Sequence, residues 1–141
     1  MTNKAREFAI KWHGDQMYGD KPYVYHLDQV ADIVSRDNQG RSSGTMQWLI
    51  EVAYLHDCAE DCGVTYYQLA DLFGIEVAHS VLLLTKSKDV LYDDYINRLK
   101  QNFYARTVKI ADTKANLKQS ILDNDTKRIV KYAKQLMLLE E

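Results

Sequence analysis

The sequence predicts an all-α fold, a single-domain helical bundle over residues 1–141. Apolar residues recur at intervals of three and four along most of the chain, which is the spacing of a helix that buries one face. The chain has one proline and six glycines, so few positions would interrupt such helices. No stretch alternates polar and apolar residues for long enough to predict a strand. A chain of this length supports one hydrophobic core, and a second independent core is not expected.

The first two helices are recognised by their apolar faces and their ends. The first is expected to end at Gly14, and one of its faces carries Ala5, Phe8, Ala9 and Trp12. The second is expected to begin near Pro22, because proline suits the first turn of a helix. Its apolar face consists of Leu27, Val30, Ala31 and Val34.

A polar, glycine-containing loop over residues 37–44 precedes the third predicted helix. Thr45 is expected to cap this helix. Its inward face carries Met46, Leu49, Ile50 and Ala53. Thr65 and Gln68 then have the spacing of a capping box, which predicts the start of a short helix that Gly74 ends.

Four more helices are predicted in the C-terminal half, over residues 75–85, 93–101, 105–122 and 126–139. The first of these is strongly apolar and is expected at the centre of the bundle. The apolar residues of the segment 136–139 are spread too widely for a single stripe. This segment is therefore expected to dock on the bundle or on a second copy of the chain, which leaves a homodimer open.

Composition excludes several classes of function. The 18 Lys and Arg residues against 20 Asp and Glu residues leave a formal net charge of −2, so no basic field attracts nucleic acid. The N-terminus lacks the apolar run of a signal peptide, and no uncharged stretch is long enough to span a bilayer. We therefore expect a cytoplasmic protein without a nucleic-acid or membrane partner. Cys58 and Cys62 are expected to be reduced, packed thiols.

Side chains that bind metal ions are concentrated at four places in the sequence. These residues are His26, His56, Asp57, Glu60, Asp61, Asp112 and Asn116. Each of them alone is better explained without a metal, as a core histidine, a capping pair or a helix salt bridge. Together they favour a metal site, because polar groups at the edge of apolar helices are costly unless they are paired or bound to an ion.

Two imidazoles and two carboxylates suit manganese, iron, magnesium or zinc and leave coordination positions open for water. Such an ion lowers the pKa of bound water and neutralises charge on phosphoryl oxygens. If the third helix continues past Asp57, Glu60 and Asp61 lie one turn beyond the His56–Asp57 pair. These two carboxylates are then the candidates to orient or deprotonate the attacking water.

The sequence resembles the hydrolase domain of the RelA/SpoT alarmone enzymes and their small single-domain relatives, from about residue 5 to residue 117. His13-Gly14 and Gln16 are similar to the opening motif, and Pro22-Tyr23-Val24-Tyr25-His26 resembles its Pro-Tyr-x-x-His motif. The segment His56-Asp57-Cys58-Ala59-Glu60-Asp61 resembles the His-Asp-x-x-Glu-Asp core. The segment Lys109-Ile110-Ala111-Asp112, followed by Asn116, is similar to Lys-Leu-Ala-Asp followed by Asn.

The resemblance implies an HD-type fold and one divalent ion, Mn²⁺. It implies that the ion is bound by His26, His56, Asp57 and Asp112. It also implies that Glu60 and Asp61 position the attacking water. Asn116 would contact the substrate, and the reaction would remove the 3′-pyrophosphate of a guanosine bis(diphosphate). We also expect Lys109, three residues before Asp112, to meet a phosphate.

The chain departs from the family at its substrate-binding residues. Met17 and Tyr18 stand in place of a basic pair, and Thr113 stands in place of an arginine. Tyr18 could still stack on a base, but guanine specificity no longer follows from the resemblance. The sequence thus predicts a metal-dependent phosphohydrolase with a nucleotide substrate, either a true alarmone hydrolase or a looser nucleotide phosphatase. The alternative is a non-catalytic HD-type module that binds or senses a nucleotide.

Overall fold

The computed structural model describes residues 4–141 and confirms the all-α prediction. The described chain consists of helices joined by short loops, with one small hairpin after the first helix. The helices are α1 (Lys4–His13), α2 (Tyr23–Asp37), α3 (Ser43–Leu55), α4 (Cys58–Cys62), α5 (Tyr66–Phe73), α6 (Ile75–Leu84), α7 (Tyr92–Leu99), α8 (Phe103–Leu122) and α9 (Thr126–Glu140). None of these helices is long and apolar enough to cross a membrane.

The hairpin corrects the prediction that the chain has no strand. Its strands β1 (Met17–Tyr18) and β2 (Lys21–Pro22) pair antiparallel. Gly19 sits in the turn between them with a φ of 62°, a conformation that glycine adopts without steric cost. Strands of two residues are too short to show alternation in the sequence. The hairpin matters for function because it places the Tyr18 side chain against α2 and α8.

The helix starts are partly as predicted. The box at the start of α5 is confirmed, since Thr65 and Gln68 exchange side-chain and backbone hydrogen bonds. The expected cap of α3 was wrong by one turn. Ser42, not Thr45, precedes this helix, and its hydroxyl accepts a hydrogen bond from the Thr45 amide at 3.2 Å. Both residues have hydroxyl side chains, so the local sequence is compatible with either start.

The core lies between α2, α3 and α8, and α6 packs against α3 and α8. It consists mostly of small and branched aliphatic side chains: Leu27, Val30, Val34, Leu49, Val52, Ala53, Val77, Val81, Val108, Ala111 and Ala115. The C-terminal α9 packs along α8, and its Leu139 is fully buried. Docking on the bundle therefore accounts for part of the cluster at residues 136–139, although Met137 remains exposed.

The third helix ends close to the His56–Asp57 pair, where the sequence placed its end, and the condition that it continues past Asp57 is not met. Helix α3 ends at Leu55 and α4 begins at Cys58, so His56 and Asp57 lie in a break between two helices. Asp57 precedes α4 as its N-cap residue, and its carbonyl accepts the first hydrogen bond of that helix, from the Asp61 amide at 2.9 Å. At this break the His56 ring reaches α8, where its Nε2 lies 3.4 Å from an Asp112 oxygen.

Candidate metal centre and active site

Three buried polar side chains from different parts of the chain meet at one point. His26 lies on α2, His56 follows α3, and Asp112 lies on α8. At least one ligand atom of each lies within 4.8 Å of the other two. The exposed fractions of these residues are 1%, 2% and 5%, respectively. This buried ligand group is therefore a polar cluster inside an apolar core, where imidazole and carboxylate can hold a divalent cation.

The orientation of His56 is fixed by its backbone neighbourhood. Its Nδ1 lies 2.7 Å from the Ala53 carbonyl and donates to it, because a carbonyl can only accept. Its Nε2 therefore points at the acids, 3.1 Å from an Asp57 oxygen and 3.4 Å from an Asp112 oxygen. This nitrogen makes no well-oriented hydrogen bond although it is buried. A buried nitrogen without a partner, held by a hydrogen bond on the opposite side of its ring, is the arrangement of a metal-binding histidine.

His26 completes the cluster from the α2 side. Its Nε2 lies 2.8 Å from Oδ1 of Asp112, the same oxygen that faces His56. The rings of the two histidines stand 6.0 Å apart at 62°. One carboxylate oxygen therefore lies between two imidazoles, as expected where three groups share a cation.

Asp57 lies at the rim of this cluster. It is not one of the three groups whose ligand atoms all lie within 4.8 Å. It does lie beside the His56 ring, and its side chain is 21% exposed. The hydroxyl of Tyr23 donates a hydrogen bond to Asp57 Oδ2. The structure therefore places Asp57 next to the buried ligand group, with one oxygen held by a tyrosine.

The charges of this site strongly affect one another. Burial opposes a charge on His56, yet Asp57 and Asp112 outweigh this and raise its pKa well above the ordinary value. Burial likewise opposes ionisation of Asp57, but His56 lowers the pKa of Asp57 to about 2. For Asp112, burial is outweighed by Lys109 and His56, and its pKa lies well below the ordinary value. The centre thus holds two ionised carboxylates, whose negative charge is compensated either by a protonated His56 or by a divalent cation.

Lys109 and Asn116 flank Asp112 on the same helix. Lys109 Nζ lies 3.4 Å from one Asp112 oxygen, and Asn116 Nδ2 donates to the other at 3.4 Å. Burial opposes a charge on Lys109, but Asp112 raises its pKa above the ordinary value, so it remains a cation. Two of the three residues predicted to contact substrate therefore line the ligand group from the α8 side, and the third is Tyr18.

Tyr18 covers the site from the hairpin. Its ring stacks on His26, with centroids 4.4 Å apart and an interplanar angle of 14°. Its hydroxyl donates to Asn116 Oδ1 at 2.8 Å. Burial raises the pKa of Tyr18 to about 12, so the hydroxyl keeps its proton near neutral pH and can donate it to Asn116. Tyr18 thus touches one predicted metal ligand and one predicted substrate-binding residue.

The remaining predicted residues, Glu60 and Asp61, form an exposed acid pair on α4. Each carboxylate is held by one hydrogen bond from a different loop. Glu60 Oε1 accepts from the Lys86 amide at 2.8 Å, and Asp61 Oδ2 accepts from the Gln16 side chain at 3.0 Å. The acid pair is therefore not buried with the ligand group but lies on the same short helix that follows Asp57.

Sequence reasoning missed two contacts of this site. Tyr23 holds Asp57, and Gln16 holds Asp61. Both residues stand in the motifs that carry the family resemblance, which was the only signal for them. Spacing cannot reveal them, because they come from loops and helix starts far from their partners in sequence.

No family model matches this chain. It is 30% identical over 119 residues to guanosine-3′,5′-bis(diphosphate) 3′-pyrophosphohydrolase MESH1 of Danio rerio, covering 79% of this chain and 64% of that protein. The chain is similar to an alarmone hydrolase over most of its length. The resemblance predicted from the motifs is therefore confirmed.

A longer relative is matched over a small part of its length. The chain is 29% identical over 142 residues to GTP pyrophosphokinase rsh of Brucella abortus, which covers 92% of this chain and 18% of that protein. A solved structure described as a metazoan ortholog of SpoT that hydrolyzes ppGpp superposes with a TM-score of 0.75. Its sequence is 22% identical, and the match covers 96% of this chain and 83% of that one. This likeness confirms the fold.

Proposed function

We propose that the chain is a metal-dependent phosphohydrolase that removes the 3′-pyrophosphate from a guanosine 3′,5′-bis(diphosphate) or a closely related nucleotide. The observation that carries this proposal is the buried ligand group, in which His56 Nε2 lacks a well-oriented partner and faces two ionised carboxylates. The similarity to an enzyme named for this activity supports the substrate class.

The proposed cofactor is one divalent ion, Mn²⁺. Its ligands would be His26, His56, Asp57 and Asp112, a nitrogen and oxygen set that this ion accepts. When bound, such an ion lowers the pKa of water and neutralises charge on a phosphoryl group. The protein contributes the rigid placement of the ligands on separate helices.

The acid pair is proposed to orient and deprotonate the attacking water. Both carboxylates are exposed, so water can reach them, and each is held by one hydrogen bond. Lys109 is proposed to stabilise negative charge on the phosphate beside Asp112. Asn116 is proposed to contact substrate through its amide once the Tyr18 hydroxyl releases its Oδ1 atom.

Recognition of the base is proposed to be weak. Tyr18 replaces a basic residue of the family and offers a ring face, which stacks on any base. Thr113 replaces an arginine and is fully buried, with its hydroxyl donating to the Lys109 carbonyl at 2.7 Å. Neither side chain provides a charged group that reads guanine. We therefore expect guanosine tetraphosphate to be preferred over its adenine counterpart by less than about a thousandfold in kcat/KM.

One experiment tests activity and base choice together. The purified protein is loaded with Mn²⁺ and given guanosine tetraphosphate, its adenine counterpart and simple nucleotides, while phosphate and pyrophosphate release are followed separately. Pyrophosphate release from the bis(diphosphates) is the expected result. Tight nucleotide binding without turnover would favour the non-catalytic module, and a larger guanine preference would show that other residues read the base.

The wider setting of the protein is also a proposal. We propose that residues 1–141 act as one domain in the cytoplasm, with a nucleotide as substrate and without nucleic acid as a partner. The formal net charge of −2 supports the absence of a nucleic-acid partner. A homodimer stays a prediction that centres on the exposed Met137 of α9.

A further inference from the structure

We propose that Gln16 is a positioning residue for the reaction, which fixes Asp61 of the acid pair and is itself fixed by His13. This inference rests on the proposed function, because it concerns how the acid pair is held beside the ligand group. It begins from a difference within that pair. Glu60 is held by a main-chain amide, whereas Asp61 is held only by the Gln16 side chain among the hydrogen bonds of the described chain.

Gln16 has both of its side-chain atoms engaged. Its Oε1 accepts a hydrogen bond from His13 Nδ1 at 2.8 Å, and its Nε2 donates to Asp61 Oδ2 at 3.0 Å. The amide must therefore face one way, with its oxygen towards the histidine and its nitrogen towards the carboxylate. A side chain bound at both ends transmits the position of His13 to Asp61.

The backbone of Gln16 is equally restrained. Its amide donates to the His13 carbonyl at 3.0 Å, and its carbonyl accepts from the Tyr23 amide at 3.1 Å. These bonds close the turn between α1 and α2 on both sides of the residue. The side chain therefore starts from a fixed point, which lowers the entropy that is lost when it holds a carboxylate.

His13 connects this path to the metal side of the site. It is 7% exposed, and its ring stacks on Tyr23 with centroids 4.5 Å apart. Tyr23 in turn donates its hydroxyl to Asp57. Asp57 and Asp61 lie one helical turn apart. Tyr23 holds Asp57 and Gln16 holds Asp61, and both of these residues contact His13.

The consequence is a specific effect on turnover. An exposed aspartate without a partner samples several rotamers, and only a fraction of these would face the attacking water. Misplacing a group of this kind costs rate more than substrate binding. Loss of the Gln16 contact should therefore lower kcat by roughly 10- to 100-fold, the range found for residues that orient groups at metal sites.

Two variants with a matched control test this proposal. Gln16→Glu keeps the length of the side chain but turns an acceptor towards Asp61, and Gln16→Ala removes the contact without adding charge. The control is Gln47→Glu. Gln47 lies in the first half of α3 and hydrogen-bonds the Glu51 carboxylate, so this variant makes the same change beside a carboxylate that is not in the acid pair. We expect both Gln16 variants to lose kcat while KM and Mn²⁺ affinity by calorimetry change by less than about threefold. The control should retain wild-type kcat.

A double-mutant cycle separates positioning from folding. In an Asp61→Asn background, Gln16→Ala should cause little further loss, because the group it positions is already disabled. The NMR signals of the Gln16 side-chain amide provide a readout without turnover, and they should shift in Asp61→Asn but not in Asp93→Asn. The proposal would be overturned if the kcat losses of the two substitutions multiplied fully in the double variant. It would also be overturned by unshifted Gln16 amide signals in Asp61→Asn, or by a wild-type kcat in Gln16→Ala. A wild-type chain that hydrolyses no nucleotide would instead overturn the proposed function and, with it, this role of Gln16.

Discussion

The buried ligand group and the exposed acid pair place carboxylates in opposite environments. Asp112 is 5% exposed inside the bundle, where both of its oxygens contact cations or donors. Glu60 and Asp61 are exposed on a five-residue helix, and each is held by one hydrogen bond. The buried Asp112 is stable as a charge only if nearby cations compensate it. The exposed acid pair needs no such compensation, and its function depends on the orientation of its carboxylates. Removing a ligand should therefore abolish metal binding, and altering the acid pair should slow only the chemistry.

The largest effect is expected from Asp57→Ala. Asp57 faces His56 Nε2, and without it one carboxylate is lost from the proposed ligand set. Tight Mn²⁺ binding and activity should be abolished together, which metal analysis and turnover measure on the same sample. The exposed Asp123→Ala serves as a control and should keep both. Full metal occupancy in Asp57→Ala would remove this residue from the ligand set.

An intermediate effect is expected from Glu60→Gln. The amide keeps the shape of the side chain and can still accept from Lys86, but it cannot take a proton. Turnover should fall by roughly a hundredfold or more, the scale of a general base, while Mn²⁺ affinity is kept. Undiminished turnover would contradict the assignment of Glu60. If Glu60→Gln lost Mn²⁺ binding together with turnover, the acid pair and the ligand group would not have separate roles.

A smaller effect is expected where the two regions meet substrate, at Tyr18. Tyr18→Phe keeps the stack on His26 but frees Asn116 Oδ1. If the hydroxyl competes with substrate for Asn116, KM should fall by roughly fivefold, which corresponds to one hydrogen bond of about 1 kcal/mol. The exposed Tyr67→Phe should leave KM unchanged. A higher KM in Tyr18→Phe would show instead that the hydroxyl binds substrate directly.

The smallest effect is expected at Glu51 on α3, a partly buried carboxylate outside the ligand group. Burial raises the pKa of Glu51 above its ordinary value of 4.5, and Gln47 and Lys4 offset this only in part. A raised pKa in the folded state means that stability is greatest below the pKa of the unfolded chain and is lost as pH rises through the folded value. Ionised Glu51 therefore destabilises the fold near neutral pH.

Glu51→Gln should raise the melting temperature by a few degrees at most at pH 7, and this gain should vanish below about pH 4. Thermal unfolding across this pH range measures it, with Glu7→Gln on α1 as an exposed control. An equal gain at both pH values would mean that ionisation is not the cause. The gain would then come from packing around residue 51 rather than from its charge, and Glu51 would not be the counterpart of Asp112, whose pKa is lowered.

Much of the fold followed from local patterns. Apolar spacing predicted most of the helices and the buried faces of the first three, because a helix buries one face whatever it packs against. Trp12 is the exception, since it lies on the predicted apolar face of α1 but is 39% exposed. The start of α5 followed from Thr65 and Gln68, which satisfy each other within one turn. The hairpin and the separate helix α4 did not follow, because strands of two residues and a helix of five are too short to show a periodic pattern.

For the candidate site, the sequence by itself determined which side chains can bind a metal and, through ordered motifs, which family the chain resembles. Only the tertiary structure decided that His26, His56 and Asp112 share one buried point, with Asp57 at its rim. It alone showed that Tyr23 and Gln16 hold the carboxylates of the break and of α4. The physical reason is the distance along the chain. Helix periodicity is set by neighbours three and four residues away, whereas the packing of the bundle brings together site residues up to 98 positions apart.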